Sequence, residues 1–368
     1  MIIKGGKVFT DNFRFEETDV FIEDGKFVAD ESYVTDKTVI DATGLIVIPG
    51  LIDVHTHGAF GHDFCDGDVE GLKQIAAYQR RCGITRFCPT SMTVSVENIK
   101  TAFETAGKLR DNGKEYAEII GINMEGPFIE KSKKGAQNEE YVRTPDYDLF
   151  KALNEAAGNL IKLITVAPDV EGAMEFIQKA YGEVNISIGH TMADYDTAAK
   201  AFEAGANHVT HLYNAMPPFT HRAPGVIGAA RDCKHCFAEL IADGFHIHPS
   251  VIRATFEMFG DDRIVLVSDS IMATGMEDGE YSLGGLTTYA KDGVVTLADG
   301  TLAGSSTNLF ECMKRAISFG ISPESAVKAA TANPAKSIGV FDNYGSITPG
   351  KAADVLLLSE DFDLIKVV

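Results

Sequence analysis

The residues best placed to do chemistry are histidines and carboxylates that follow apolar runs. His55 and His57 stand two apart after Leu45-Ile46-Val47-Ile48-Pro49-Gly50-Leu51-Ile52, which reads as a buried strand. Alternate residues of a strand point the same way, so both imidazoles can reach one point, and that is a metal-ligand spacing. The Pro49-Gly50 lead-in and Gly58 suit a strand that runs into a tight turn. The pattern recurs along the chain. Glu125 follows Ile119–Met124, His190 follows Val184–Ile188, His211 ends Asn207–His211, and Asp269 follows Arg263–Val267. A divalent ion held by Glu125, His190 and His211 would have three protein ligands and an open position, which marks a catalytic rather than a structural site. Such an ion lowers the pKa of bound water to about 7. Asp269 can then take the water's proton and pass it to a leaving group. His55 and His57 are candidates to hold a second ion, bridged by Glu125 or Asp269. The chemistry implied is metal-assisted hydrolysis.

The elements that must position these groups alternate between strand and helix from residue 48 onward. The strands after the first are Ile84–Pro89, Ile119–Met124, Leu160–Val166, Val184–Ile188, Asn207–His211, Phe237–Ala242 and Arg263–Val267. Helical stretches between them include Glu70–Cys82, Val96–Asn112 and Tyr195–Ala204, the last entered through Thr191-Met-Ala-Asp194, which supplies acceptors for the first-turn amides. This alternation predicts a parallel sheet, and eight strands predict a closed (β/α)8 TIM barrel with its site at the C-terminal strand ends. Before the barrel lie short β segments: Ile2-Ile3 and Lys7–Phe9 about a Gly-Gly turn, a hairpin over Asp19–Val28 with an Asp-Gly turn, and Thr38–Gly44. After it come a hairpin at Gly293–Gly300, helices over Asn308–Phe319 and Pro323–Ile338, and a β tail over Tyr344–Leu358. The simplest organisation is a small β-sandwich domain built from both termini, residues 1–50 plus 340–368, beside a metal-dependent catalytic barrel over 51–339.

Bulk properties narrow the function. The chain has 368 residues, 45% of them hydrophobic, enough for a large core. A net charge of −20 argues against nucleic acid or an anionic membrane as partner. It also requires a local cationic cluster for any anionic substrate, and His221-Arg222 is a cationic pair in a Pro/Gly-rich loop. No apolar run reaches the ~18 residues needed to span a bilayer. The Met1-Ile-Ile-Lys-Gly start lacks the pattern of a signal peptide, so a cytoplasmic protein is expected. The six cysteines are scattered, and Cys233-Lys-His-Cys236 has no second pair at zinc-site distance, so free thiols are expected. His208, His235 and His248 read as structural, and His62 receives no role.

The Pro49-Gly-Leu-Ile-Asp-Val-His-Thr-His-Gly58 stretch, the strand-eight Asp269 and Gly345-Ser-Ile-Thr-Pro-Gly-Lys-Ala-Ala-Asp354 resemble the amidohydrolase superfamily. Many of its members bridge two metals with a carboxylated lysine after strand four. This chain has Val166-Ala-Pro-Asp169 there, which argues against the dihydroorotase and urease-like branches. Met124-Glu-Gly-Pro-Phe128, Lys134-Gly-Ala136, Ile188-Gly-His-Thr191, His208-Val-Thr-His-Leu-Tyr-Asn-Ala-Met-Pro217, Ile241-Ala-Asp-Gly-Phe-His246 and Leu302-Ala-Gly-Ser305 sharpen the resemblance to the N-acetylglucosamine-6-phosphate deacetylase family, over essentially the whole chain. That resemblance implies release of acetate from N-acetylglucosamine 6-phosphate, with Glu125, His190 and His211 on the metal and Asp269 as base and then acid. It further implies Asn214 and Ala215 amides and Arg222 at the phosphate, His246 on the sugar, and Ala136, Leu302, Ala303 and Gly304 lining the pocket. In the family the arginine can come from a neighbouring subunit, so a homodimer is expected. Some members carry His near the acetyl carbonyl where this chain has Gln137, which can donate a hydrogen bond but carries no charge. Some also lack the first His of the HxH pair and use one metal; this chain has both, so two ions are expected. Zinc, iron, cobalt and manganese all suit the ligand set. The rival readings are a deacetylase of another N-acetyl hexosamine phosphate, such as N-acetylgalactosamine 6-phosphate, an N-acyl amino acid hydrolase, and a non-catalytic amidohydrolase-like binding protein.

Overall fold

In the computed structural model, residues 1–110, 113 and 115–368 are described. Eight parallel strands form the barrel: β1 (Leu51–Thr56), β2 (Ile84–Ser91), β3 (Ile122–Glu125), β4 (Ile161–Val166), β5 (Asn185–Ile188), β6 (His208–Val209), β7 (Phe237–Ile241) and β8 (Ile264–Val267). Each pairs with the next in sequence. The ring is completed from β8 to β1: the Asp269 amide donates to the His55 carbonyl at 2.9 Å, and Thr56 forms a parallel bridge with Ser270. Strands covered on both faces need apolar residues at every position. β8, Ile-Val-Leu-Val, meets that condition; β2 is also buried throughout but carries Thr85, Arg86, Thr90 and Ser91 among its apolar residues. The helices between are amphipathic and mostly capped by side chains. Asp68 accepts from the Glu70 and Gly71 amides to start Val69–Arg81, and Asp194 accepts from the Thr197 amide to start Tyr195–Ala204.

Both termini join one seven-stranded mixed sheet, in which Val355–Leu358 lies antiparallel to Ile46–Pro49 and beside Leu364–Val367. The apolar run Leu45–Ile52, expected as one strand, is therefore two. Ile46–Pro49 belongs to this sheet and β1 to the barrel. The change of sheet falls at Gly50, where an added Cβ would lie 2.1 Å from Thr85 Oγ1, so only glycine lets the chain pass so close to β2.

Other expectations need correction in detail. Ile2–Phe9 is one strand with a register shift between Ile3 and Gly6, not two about a turn. The third barrel strand is interrupted, Glu118–Ile119 pairing with β2 before β3 begins at Ile122. The expected 293–300 hairpin is the end of a three-stranded sheet over Gly279–Leu283, Leu286–Lys291 and Val294–Thr296. The long helix over 323–338 breaks at Thr331 into Pro323–Ala330 and Ala332–Ser337. The second expected helix spans Val96–Leu109, and its expected end at Asn112 lies outside the described residues. Among the described residues no helix is long and apolar enough to cross a membrane.

Candidate metal centre and its cavity

The strand ends bring the predicted groups together. Glu125 sits at the centre, its Oε1 lying 3.2 Å from His190 Nε2, 3.0 Å from His211 Nε2 and 3.5 Å from His55 Nε2. Its Oε2 lies 3.3 Å from His57 Nε2. Asp269 Oδ1 approaches His57 Nε2 at 3.1 Å and His55 Nε2 at 3.6 Å. Two ligand triads result, His55/His57/Glu125 and Glu125/His190/His211, with Glu125 in both.

The hydrogen bonds around the rings test whether these residues suit a cation. His57 Nδ1 faces the Thr90 carbonyl at 3.1 Å, His190 Nδ1 the Lys133 carbonyl at 2.8 Å, and His55 Nδ1 the Glu239 carboxylate at 2.9 Å. A carbonyl or carboxylate can only accept, so each Nδ1 carries the proton and each Nε2 presents a lone pair inward. Those inward nitrogens crowd one another, at 3.3 Å between His55 and His57 and 3.0 Å between His190 and His211. Lone pairs held so close need a cation between them, and the donor set of imidazole and carboxylate fits a divalent metal. Without one, protons must serve. Burial pushes the His57 imidazole down, but Asp269 and Glu125 outweigh it and raise it to about 9. Burial pushes the Glu125 carboxyl up, and the His55 and His190 rings overcome that to hold it well below its ordinary value. Asp269 is likewise pushed up by burial and held below its usual range by His55 and His57.

Backbone geometry aims these groups. His190 (φ 47°), His211 (φ 27°) and Asp269 (φ 49°) all occupy the left-handed region. Non-glycine residues adopt it rarely, and it persists where surrounding structure enforces it. Strand β6 accordingly ends at Val209, before the reach expected to His211, and Tyr213 and Ala215 continue with positive φ.

His57, Glu125, His190, His211 and Asp269 line a cavity of about 660 Å³ together with Ala136, Gln137, Asn214, Ala215, His246, Leu302 and Gly304, while His55 is fully buried and does not line it. Ala303 is buried behind its neighbours, its amide donating to the Val295 carbonyl at 3.1 Å. The Asn214 amide donates to the His211 carbonyl at 3.0 Å, while Ala215 accepts from the Thr191 amide at 3.1 Å. His246 pairs with Asp243 at 2.6 Å, and that carboxylate raises its pKa against the opposing effect of burial. Gln137 is buried, its Nε2 donating to Glu125 Oε2 at 2.6 Å and its Oε1 accepting from the Thr93 amide at 2.6 Å. Both ends of that amide are thus engaged, and it orients Glu125. Arg222 differs from the rest: it is exposed on the Thr220–Ala223 turn and does not line the cavity of its own chain.

Several contributors were not singled out from sequence. Lys131, Lys133 and Lys134 line the cavity, and the signal was there, a basic run in an acidic chain that begins six residues after Glu125. Asp169, noted only for not being lysine, accepts from the Met192 amide at 3.0 Å and from Thr191 Oγ1, which fixes the turn after His190. Of the histidines read as structural, His208 is buried inside the barrel and bonds Ser187 Oγ at 3.2 Å, and His248 caps Pro249–Phe259. His235 lies beside Cys233, and all six cysteines are free thiols.

Comparison with known proteins agrees with this geometry. Residues 46–368 match the model of the amidohydrolase family. The chain is 38% identical over 325 residues to N-acetylglucosamine-6-phosphate deacetylase of Bacillus subtilis, covering 87% of this chain and 82% of that protein. It is 31% identical over 359 residues to N-acetylgalactosamine-6-phosphate deacetylase of Escherichia coli O157:H7, covering 97% and 94%. The crystal structure of N-acetylglucosamine-6-phosphate deacetylase from Pasteurella multocida superposes with a TM-score of 0.92 at 28% identity, covering 100% of this chain and 97% of that one. With its barrel, its paired triads and these likenesses, the chain belongs to the amidohydrolase family.

Proposed function

We propose that this chain hydrolyses the acetamide of N-acetylglucosamine 6-phosphate to give glucosamine 6-phosphate and acetate. The observation that carries the reading is the shared Glu125 flanked by four imidazoles, with Asp269 against His57 in one cavity. The likeness to deacetylases of the two hexosamine phosphate epimers supplies the substrate class. A metal bound by Glu125, His190 and His211, with His55 and His57 available for a second ion, would polarise the acetyl carbonyl and acidify the attacking water. The ligand set admits zinc, iron, cobalt or manganese, at one or two ions per chain.

The protein's own groups do the rest. Asp269, held ionised, accepts a proton from the attacking water and returns it to the nitrogen as the C–N bond breaks. His246, oriented by Asp243, faces the cavity and can hold a sugar hydroxyl. Leu302 and Gly304 shape the pocket, with Ala136 on the opposite segment and Ala303 behind them. Gln137 holds Glu125 in place of contacting the acetyl oxygen. The dianionic phosphate needs positive charge, which Lys131, Lys133 and Lys134 supply from within the chain, alongside the amide of Ala215 and the segment at Asn214. Arg222, exposed outside its own cavity, suits a role across a homodimer interface, at the phosphate of the neighbouring site. Replacing Arg222 with Ala should raise KM for the phosphorylated sugar roughly tenfold or more and leave the unphosphorylated sugar nearly unaffected. An equal effect on both would remove Arg222 from the phosphate site.

The test of the reading is acetate release by the metal-loaded protein from the two phosphosugar epimers and from N-acetylglucosamine itself. A kcat/KM highest for N-acetylglucosamine 6-phosphate supports it. A higher value for the galactosamine epimer would move the substrate, and no acetate from any would remove the activity.

A further inference from the structure

Glu239 is a buried carboxylate that stands outside the ligand sets and outside the chemistry above. Glu239 projects from the middle of β7 and is fully buried, as is Ala238 beside it on the strand. A carboxylate in such a place must be compensated by cations or hydrogen bonds. Its Oε2 carries two: the His55 Nδ1–H at 2.9 Å and the backbone amide of His211 at 3.0 Å. One oxygen atom thus touches a ligand of each triad, the ring of one and the main chain of the other. The other oxygen, Oε1, has no hydrogen-bond partner among the described residues, and the nearby His208 Nδ1 stands 3.7 Å away, turned to Ser187 Oγ. Glu239 is therefore not stabilised by a local network of its own. Its partners are the two triads.

We propose that Glu239 is a positioning residue that couples the two ligand triads: it fixes the His55 tautomer with Nε2 inward and holds the His211 backbone so that both triads are preformed together. Two features of the geometry support this. First, the anion on Nδ1 raises the donor strength of Nε2, an effect a neutral acceptor such as the Thr90 carbonyl on His57 supplies less strongly. Second, His211 sits at φ 27°, a backbone angle that needs an outside restraint, and the Glu239 bond to its own amide is one. His211 Nδ1 has no partner among the described residues, so on the side of the ring away from Glu125 the restraint comes through the main chain.

The inference rests on the metal-binding reading, and its test is metal affinity rather than turnover, so the two fail separately. Zinc would be titrated into metal-stripped wild-type protein and Glu239→Gln, with affinity read by chelator competition and content by elemental analysis. Gln keeps the shape and an acceptor but removes the charge. Wild-type protein that binds no zinc would sink the metal reading itself. The coupling role predicts that Glu239→Gln weakens zinc ten- to hundredfold, as loss of an outer partner does elsewhere, at a melting temperature of the stripped protein within a few degrees of wild type. It also predicts that Glu239→Gln adds little to the loss already caused by His55→Ala at the His55/His57/Glu125 triad, yet still weakens the Glu125/His190/His211 triad in that background. Unchanged zinc affinity in Glu239→Gln would overturn the proposal. So would a loss that disappears entirely in the His55→Ala background, since Glu239 would then serve one triad only. Should Glu239→Gln fail to fold, Glu239→Asp, which keeps the charge and shortens the reach, should show the same ordering of losses.

Discussion

At the scale of single residues, the site is held by what each nitrogen and oxygen faces. The Nδ1–H bonds of His55, His57 and His190 point outward to acceptors, so their Nε2 atoms converge on Glu125. Asp269 contacts His57 more closely than His55 and belongs to neither complete triad. Replacing Asp269 with Asn should lower kcat by at least about a hundredfold, the usual contribution of a positioned acid-base group, while metal content per chain stays at the wild-type level. Near-normal turnover would remove its proton-transfer role. The ligands were legible in sequence because each stands at the end of an apolar run, where a barrel of this kind gathers its site. Gln137 was legible as a position but not as a role. Its spacing says nothing about direction, and only the fold shows its amide clamped between Thr93 and Glu125. Glu239 was hidden for a related reason: one charge inside Phe237–Ile241 reads as a strand feature, and its partners lie 184 and 28 residues away.

At the scale of elements, the turns that follow the strands carry the geometry. Gly126 links Glu125 to the next loop at φ +81°, and a Cβ there would lie 2.0 Å from Thr93 Oγ1. Gly126→Ala should therefore cost roughly 2–4 kcal/mol, from backbone strain plus overpacking. Because the displaced Thr93 holds Gln137, it should also weaken metal binding. A variant with wild-type melting temperature and wild-type metal content would contradict this. Periodicity located all eight barrel strands but misjudged where some begin and end. Leu45–Ile52 is uniformly apolar, and nothing in that pattern marks the change of sheet at Gly50. Strand β6 stops at Val209 because the residues that follow turn into left-handed conformations, which local propensity cannot foresee. The break at Thr331 (φ −130°, ψ −77°) did have a signal in Pro334, which disrupts a helix interior and sits in the first turn of Ala332–Ser337.

At the scale of the molecule, the sheet built from both termini is tied to the barrel by charge. Asp354, at the foot of Val355–Leu358, accepts from Arg80 at 2.7 Å and from Arg86, which also bonds Glu118 at 3.0 Å and lies over the Tyr344 ring at 4.0 Å. These groups are mostly buried, so removing one partner leaves charge behind. Asp354→Ala should lower stability by about 1–3 kcal/mol, between the values for exposed and buried pairs, with kcat within a factor of two or three because the network lies away from the cavity. A large fall in kcat at unchanged stability would mean that the sheet acts on the site. The −20 charge of the whole chain makes the three lysines of 131–134 stand out as the place for an anion. The proposed reaction is deacetylation of N-acetylglucosamine 6-phosphate at the strand-end cluster. The most direct measurement is the simultaneous assay of acetate and glucosamine 6-phosphate formed by metal-loaded wild-type protein and by Asp269→Asn. Equal amounts of both products from wild type, and almost none from the metal-loaded variant, are predicted. No acetate from wild type, or equal turnover by the variant, would contradict the account.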